Sequence, residues 1–288
     1  MHFEKTNLKA VRLVLPLFGL LLFIGILYGV DLKSVVNALV RINPLKMAVA
    51  ILLLAATIPV RALRLLALLR KLHKVEPRFT DLLLLGSYAN FTGTFTPGRL
   101  GEFVKLAYFQ NSLQLRTRSG VTVLVVDRLC DVTALLFFGV LGAMSFYSLS
   151  LTMHLMAFLT MVISLIGVAF FSQHLAWVNL LWTTTLSSLL VYSANYIIIR
   201  ALGHDLSLFD SIAVSAVSSL ASLLPISFLG VGTRDGALIL MLESRDITPE
   251  SAIVVSLCFL GAVLVLGVLS GLTTFNGRLQ QLLVVRKN

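Results

Sequence analysis

The chain has 288 residues, of which 58% are hydrophobic and only 12% are charged, and its mean hydropathy is +0.95. A soluble domain is near half apolar and a quarter charged, so this composition excludes an ordinary soluble protein and is typical of a polytopic membrane protein. The formal net charge of +10 does not indicate nucleic acid, because most Lys and Arg lie between apolar runs, where topology and anionic lipid headgroups account for them. We predict one membrane domain over residues 1–288.

Six long apolar runs predict membrane spans. The first, at about residues 13–30, is longer than the core of a typical secretory signal and no A-x-A site follows it, so we predict an uncleaved span. The second is predicted from Pro44 to Val60, before a basic segment. The others are predicted at about residues 121–147, 151–171, 177–199 and 252–275.

Two further apolar runs are too short to cross a bilayer as straight helices. The run 82–95 has about 14 residues, whereas a crossing needs about 20 at 1.5 Å each, and it ends in TPGRLGE; the run 212–229 ends in GVGTRDG. Paired Gly/Pro interruptions in corresponding halves of a chain are the best sequence indication of a transporter site. We predict re-entrant hairpins at about 81–114 and 211–242, with breaks at Pro97, Gly98, Gly101, Pro225, Gly230 and Gly232.

The distribution of basic residues predicts the layout of these segments. If both short runs are hairpins, the basic N-terminus, the basic segment that begins near Arg64 and the C-terminus lie in the cytoplasm, and the acidic stretch ESRDITPE lies outside. The predicted fold is therefore an all-α polytopic membrane protein with about six transmembrane helices, two inverted re-entrant hairpins and cytoplasmic termini. One hairpin enters from each side, which suits alternating access.

The first break also predicts local chemistry. Backbone that is broken at mid-membrane depth is tolerated only where protein or a water-filled cavity surrounds it. Pro97 lacks an N–H group and is expected to end the entering helix, and the free N–H groups near residues 100–104 favour an anion. Four polar side chains are expected to satisfy the freed backbone groups, the alternative being that they line a polar path: Asn90, Thr92, Thr94 and Thr96.

Charged residues interrupt the apolar runs at three places. Within VTVLVVDRLCDVTALLFFGV, three charges lie three or four residues apart and project from about the same helical face. Seven charges facing lipid cost about 20 kcal/mol, at roughly 3 kcal/mol each, which exceeds the net stability of about 5–15 kcal/mol of a folded protein. They must meet each other, water or a ligand, either in a functional cavity or in an ion-pair network that only fixes helix packing. The set is Arg99, Glu102, Asp127, Arg128, Asp131, Arg234 and Asp235.

No pattern in the sequence predicts an enzyme, a cofactor or a metal site. It contains no nucleophile–base–acid set, Gly-Lys phosphate loop or dinucleotide-binding pattern, and its His residues lack metal-ligand spacing. Cys130 and Cys258 lie inside apolar runs. We expect both to be buried small hydrophobes rather than a disulfide.

Three segments resemble the signatures of the lysylphosphatidylglycerol synthase transmembrane family, also called the flippase-like or UPF0104 family. NFTGTFTPGRLGEFVKL, VVDRLCD and LPISFLGVGTRDG match PGRxGE, acid–Arg–x–x–Asp and PxSxxGxGxRE in order and spacing. Asp127 and Asp235 stand where the family usually has Glu, which shortens the reach of these side chains by about 1.5 Å. Leu229 occupies a position that is often Gly in the family. The residues carried over by position are Pro97, Gly98, Arg99, Gly101, Glu102, Arg128, Asp131, Pro225, Gly230, Gly232 and Arg234.

The resemblance implies an inner-membrane protein related to the domain that flips aminoacylated phosphatidylglycerol. The fused synthases' aminoacyltransferase domain has no counterpart in these 288 residues, so we expect no lysine attachment by that route. The main hypothesis is a carrier of a phospholipid or isoprenoid phosphate, with Arg99, Arg128 and Arg234 binding phosphate in turn. In the empty carrier these arginines would be held by Glu102, Asp131 and Asp235.

Two alternatives stay open. One is a membrane enzyme that acts on a lipid-linked phosphate or sugar, with Asp127 and Asp131 as acid–base or metal groups. The other is a scaffold that partners a lipid-modifying enzyme. The sequence favours the carrier, because no His lies near these acids.

Overall fold

A computed structural model describes residues 28–146, 177–222 and 232–274, together with positions 21, 24–26 and 283. Within these residues the chain forms nine α-helices and one 3-10 helix, and it contains no strand. The 3-10 helix is Pro97–Phe103. The α-helices are α1 (Leu32–Val40), α2 (Pro44–His73), α3 (Phe79–Thr94), α4 (Val104–Asn111), α5 (Thr117–Phe146), α6 (Trp177–Ala201), α7 (Leu208–Ser222), α8 (Thr233–Glu243) and α9 (Pro249–Thr274).

The α2 helix is longer than its sequence pattern predicts. The Asn43 side chain accepts hydrogen bonds from the first free N–H groups, and Pro44 occupies the first turn, where its missing N–H costs nothing. The helix runs through 30 residues before Lys74 ends it in the left-handed conformation. The predicted span from Pro44 to Val60 is therefore only the first part of α2, and Arg64 lies inside a helix rather than in a flanking segment.

The helical architecture agrees with the predicted fold class. The helix Pro44–His73 and the segment Pro249–Leu272 are long and apolar enough to cross a membrane. With 30 and 25 residues, α5 and α6 also have sufficient length at 1.5 Å per residue. The six-span count and the re-entrant hairpins stay predictions. The predicted span 151–171 and most of the first span lie outside the described residues.

The long helices pack in pairs. Lys46 Nζ, near the start of α2, donates to the carbonyl of Arg200 at the end of α6 at 2.7 Å, so these two contacting helices are antiparallel. Two further pairs of helices are in contact, α3 with α9 and α7 with α5. Both crossings are close: a Cβ on Gly271 would lie 2.7 Å from the Phe91 ring, and a Cβ on Gly142 would lie 2.3 Å from Ala213 Cα. Small residues at such crossings are typical of membrane helices.

The chain folds back on itself at the first break. Thr92 Oγ1 donates to the Gly101 carbonyl at 2.8 Å, and the Gly101 N–H donates to Thr96 Oγ1 at 2.7 Å. These bonds confirm that the hydroxyls of Thr92 and Thr96 satisfy backbone groups at the break. A Cβ on Gly101 would lie 2.3 Å from the Thr92 carbonyl carbon, so only glycine allows this approach.

The other two polar residues of α3 have different partners. Thr94 Oγ1 donates within the helix to the carbonyl of Asn90 at 2.8 Å. The Asn90 side chain donates to Ser270 Oγ of α9 at 3.2 Å. Asn90 therefore links the entering helix to α9.

Candidate functional site

Six charged side chains from three parts of the chain meet between α2, the first break and α5. We call this group the first cluster. Three of its members are basic and three are acidic, so their formal charges balance. The members are Arg64 of α2, Glu102 of the 3-10 helix, Lys105 of α4, and Asp127, Arg128 and Asp131 of α5.

Arg64 lies at the centre of the first cluster and is fully buried. Its Nε donates to Asp127 Oδ1 and its Nη1 donates to Asp131 Oδ1, both at 2.7 Å. The two acids are one helical turn apart, so one guanidinium reaches both of them. Nη2 of Arg64 has no hydrogen-bond partner among the described residues. Arg64 thus ties α2 to α5 and is a buried helix residue rather than part of a flanking basic segment.

Lys105 and Glu102 connect the first break to α5. Lys105 Nζ lies 3.2 Å from Glu102 Oε2 and 3.7 Å from Asp127 Oδ2, and all three side chains are buried. Glu102 also contacts the guanidinium of Arg128, whose Nη1 lies 3.5 Å from Asp131 Oδ2. The Arg128 side chain is 42% exposed, so it forms the rim of the cluster. The Glu102–Arg128 pair closes the break against α5.

A small cavity lies beside the first cluster, between α2 and α3. Its polar lining comes from Arg61, Asn90, Glu102 and Lys105. The volume is about 30 Å³, which holds one or two waters but not a phosphate group. Arg61 adds a fourth cation beside three acids, so the formal charge around the cavity is positive. The cavity is therefore small, and the formal charge around it is positive.

A second cluster forms where α8 begins. The Arg234 Nη2 donates to Ser256 Oγ at 2.6 Å and to the Ser256 carbonyl at 3.1 Å. The guanidinium carbon lies 5.3 Å from the centre of the Phe259 ring, within the range of a cation–π contact. Asp235 accepts from the Gly232 N–H at 2.7 Å and from the Ser256 hydroxyl. Gly232 has φ of +90°, a conformation that favours glycine.

The structure thus divides the predicted charges into two groups. The first lies against α5 and contains Glu102, Asp127, Arg128 and Asp131. The second lies against α9 and contains Arg234 and Asp235, with charged atoms 3.7 Å apart. The predicted residues that fall outside both groups are Pro97, Gly98 and Arg99, whose surroundings are not described, and Pro225 and Gly230, which lie in residues 223–231.

Sequence reasoning missed Arg64 and Lys105, although both carry a signal. Arg64 is the single charge in the apolar stretch ALRLLALL, which continues the period of α2. Lys105 follows Glu102 by three residues, a helical pairing distance. The acids Asp127 and Asp131 need a cation to compensate their charge, and Arg64 is the buried cation that contacts both.

The comparison with protein families agrees with this architecture. A family model described as the lysylphosphatidylglycerol synthase TM region matches residues 10–178 and 172–271. These ranges contain both clusters and all three signature segments. No curated protein matches the chain. The chain therefore belongs to the lysylphosphatidylglycerol synthase TM-region family, a family of membrane domains.

Proposed function

We propose that this protein is a lipid translocase of the inner membrane, which moves a lipid with an anionic or polar headgroup between leaflets. The observation that carries the proposal is the first cluster: a fully buried Arg64 held by two aspartates beside a broken helix and an electropositive cavity. Intramembrane ionisable groups mark substrate pathways by default. The family to which the chain belongs is named for a lipid-related synthase.

Charge balance supports a role for this cluster beyond helix packing. Taking charges out of water costs several kcal/mol per ion, and ion pairing only partly offsets that cost. Beyond the ion pairs themselves, the network borders a cavity whose wall carries two cations, Arg61 and Lys105. An anion entering that space would meet Lys105 and Arg61 and would compete with Glu102 for its basic partners.

The Glu102–Arg128 pair is the proposed gate. Arg128 is the most exposed cation of the first cluster, so a phosphate group meets it first. Arg binds phosphate through two parallel hydrogen bonds, which lets the headgroup replace Glu102. Release of Glu102 then frees the 3-10 helix from α5, and the small cavity widens.

The membrane layout completes the proposal. Both termini lie in the cytoplasm, six helices span the bilayer, and the two broken segments enter from opposite faces. The first cluster serves one face and the second cluster, with Arg234 and Asp235, serves the other. Arg99 adds a further phosphate contact by its place in the family signature. The lipid tails stay in the bilayer throughout.

The test is leaflet exchange in proteoliposomes. The panel contains labelled phosphatidylglycerol, its lysyl form, phosphatidylethanolamine and an isoprenoid phosphate. Arg128→Ala is the test variant, and Arg70→Ala is the matched control, because Arg70 is exposed and pairs only with Glu76 in the described contacts at 3.4 Å. Selective exchange by wild type and Arg70→Ala, lost in Arg128→Ala, is the expected result.

Two other outcomes would overturn the proposal. No exchange of any lipid by folded protein, together with a new lipid product in the mass spectrum, would assign an enzyme. No exchange together with stable co-purification of a lipid-modifying enzyme would assign a scaffold.

A further inference from the structure

The helices form two sets of four that repeat in order and in length. The sets are α2–α5 and α6–α9, with lengths of 30, 16, 8 and 30 residues in the first and 25, 15, 11 and 26 in the second. Each contact between the sets has a counterpart: α3 on α9 and α7 on α5, α2 on α9 and α6 on α5. The first helices of the two sets, α2 and α6, pack antiparallel.

One sequence separation recurs at several landmarks and supports this correspondence. The second helix begins at Phe79 in one set and at Leu208 in the other, which are 129 residues apart (208 − 79). Gly142 and Gly271, the close-contact glycines of α5 and α9, have the same separation (271 − 142). Each of these glycines meets the second helix of the opposite set.

The same separation relates the two charge clusters. Lys105 corresponds to Arg234 (234 − 105 = 129), and Asp127 corresponds to Ser256 (256 − 127 = 129). The contacts correspond as well, because Lys105 Nζ lies 3.7 Å from Asp127 Oδ2 and Arg234 Nη2 lies 2.6 Å from Ser256 Oγ. Both cations are at least nine-tenths buried. By this spacing Arg99 corresponds to position 228, so it is not the counterpart of Arg234.

We infer that Lys105 and Arg234 are equivalent anion-binding positions of the two sets, and that both contact the phosphate group of the transported lipid. This inference rests on the proposed function and assigns its headgroup contacts. Each cation follows a break, lies buried, and is held by a neighbouring acid and by the last helix of its own set. Two buried cations in equivalent places are what a headgroup needs when it passes from one half to the other.

The positions of Lys105 and Arg234 differ in the number of charged residues around them. Arg61 and Arg64 add two cations near Lys105, whereas the corresponding positions of α6 are Leu190 and Ser193. Lys105 therefore lies in the half with more charged groups of both signs, because Glu102, Asp127 and Asp131 accompany these cations.

The first test uses wild-type protein, so that no variant has to fold. Phosphatidylglycerol with a photoreactive headgroup is crosslinked to the purified protein, and the labelled peptides are mapped by mass spectrometry. Peptides that contain Lys105 and peptides that contain Arg234 are both expected to carry label. Label on one of the two regions only would overturn the equivalence.

The second test measures phosphatidylglycerol binding by native mass spectrometry. Lys105→Met and Arg234→Met are each expected to weaken binding about tenfold or more, since each removes a charge-assisted contact to phosphate. Lys105→Arg and Arg234→Lys keep the charge and are expected to retain binding. The control is Lys33→Met, which removes an exposed lysine of α1. Wild-type binding by either Met variant would contradict the inference.

Two further arms separate this inference from the proposed function. If both Met variants bound phosphatidylglycerol normally and still exchanged lipid, the translocase proposal would stand, but Lys105 and Arg234 would not be anion-binding positions. Site-selective binding without lipid exchange would overturn the translocase and support the positions. Glycerol phosphate at millimolar concentration is expected to reduce crosslinking of the photoreactive lipid, because it presents the same phosphate group. If glycerol phosphate reduced the crosslinking and unlabelled phosphatidylglycerol did not, the result would contradict a lipid ligand.

Discussion

Arg64 Nε lies 2.7 Å from Asp127 Oδ1, and this buried pair joins a helix of the first third of the chain to a helix of the middle. The same guanidinium reaches Asp131 through Nη1, also at 2.7 Å. One side chain therefore fixes the spacing between α2 and α5, and it does so within the group of charges that flanks the cavity. Arg64 therefore couples the packing of these helices to the proposed headgroup site.

Replacement of Arg64 by Met is expected to destabilise the protein strongly. Removing one partner of a buried ion pair costs about 3–5 kcal/mol, because an uncompensated charge is left behind. The measurement is thermal unfolding in detergent with a thiol-reactive dye, which reports exposure of the buried cysteines Cys130 and Cys258. Arg70→Met, at an exposed position, should unfold like wild type. An unchanged midpoint for Arg64→Met would mean that the pair does not hold the two helices.

Gly101→Ala is expected to disrupt the first break. The added Cβ would lie 2.3 Å from the Thr92 carbonyl carbon and oxygen, and backbone atoms cannot yield as a flexible side chain can. The expected result is a lower unfolding temperature and loss of transport. Gly261→Ala is the matched control, because nothing lies within 4 Å of its added Cβ. Equal behaviour of the two alanine variants would show that the fold-back at Thr92 is not required.

Ser256→Ala is expected to loosen the second cluster. Arg234 would lose its bonds to the Ser256 hydroxyl, at 2.6 and 3.2 Å, and would keep the bond to the carbonyl. A buried donor left without its partner costs about 1–3 kcal/mol, so thermal unfolding should begin earlier than in wild type. Ser256→Thr retains the hydroxyl and is the control. If alanine and threonine gave the same unfolding curve, the hydroxyl would have no role in holding Arg234.

Glu102→Gln is expected to increase binding of phosphatidylglycerol. The change removes the carboxylate that contacts Lys105 and Arg128, so a lipid phosphate no longer competes with it. Quantitative lipid binding by native mass spectrometry measures the effect. Glu76→Gln, which alters an exposed pair with Arg70, provides the comparison. Weaker binding in Glu102→Gln would indicate that the acid helps to bind the lipid and does not compete with it.

The sequence predicted individual residues of this site better than the contacts between them. Helical periodicity placed Asp127 and Asp131 on one face, and one Arg contacts both. The prediction for Thr92 and Thr96 was correct, whereas Thr94 donates within its own helix. The identity of that Arg was missed, since a basic residue close to other basic residues resembles a membrane flank, and only packing shows that α2 continues past it.

The pairing of the two halves needed the structure for a different reason. In the sequence motifs TPGRLGE and GVGTRDG, each break carries one Arg, Arg99 in the first and Arg234 in the second. The helix starts and the glycine crossings shift that register, so Lys105 takes the place of Arg99. Short motifs rich in Gly are a weak guide to register, whereas contacts between long helices determine it.

The most direct measurement for the central claim is phosphatidylglycerol exchange in proteoliposomes with wild type, Arg128→Ala and Arg70→Ala, all shown to be folded by the dye assay. The proposal predicts exchange by wild type and Arg70→Ala and none by Arg128→Ala, because that variant lacks the exposed cation that pairs with Glu102 and meets the phosphate first. Exchange at the wild-type rate by Arg128→Ala would contradict it.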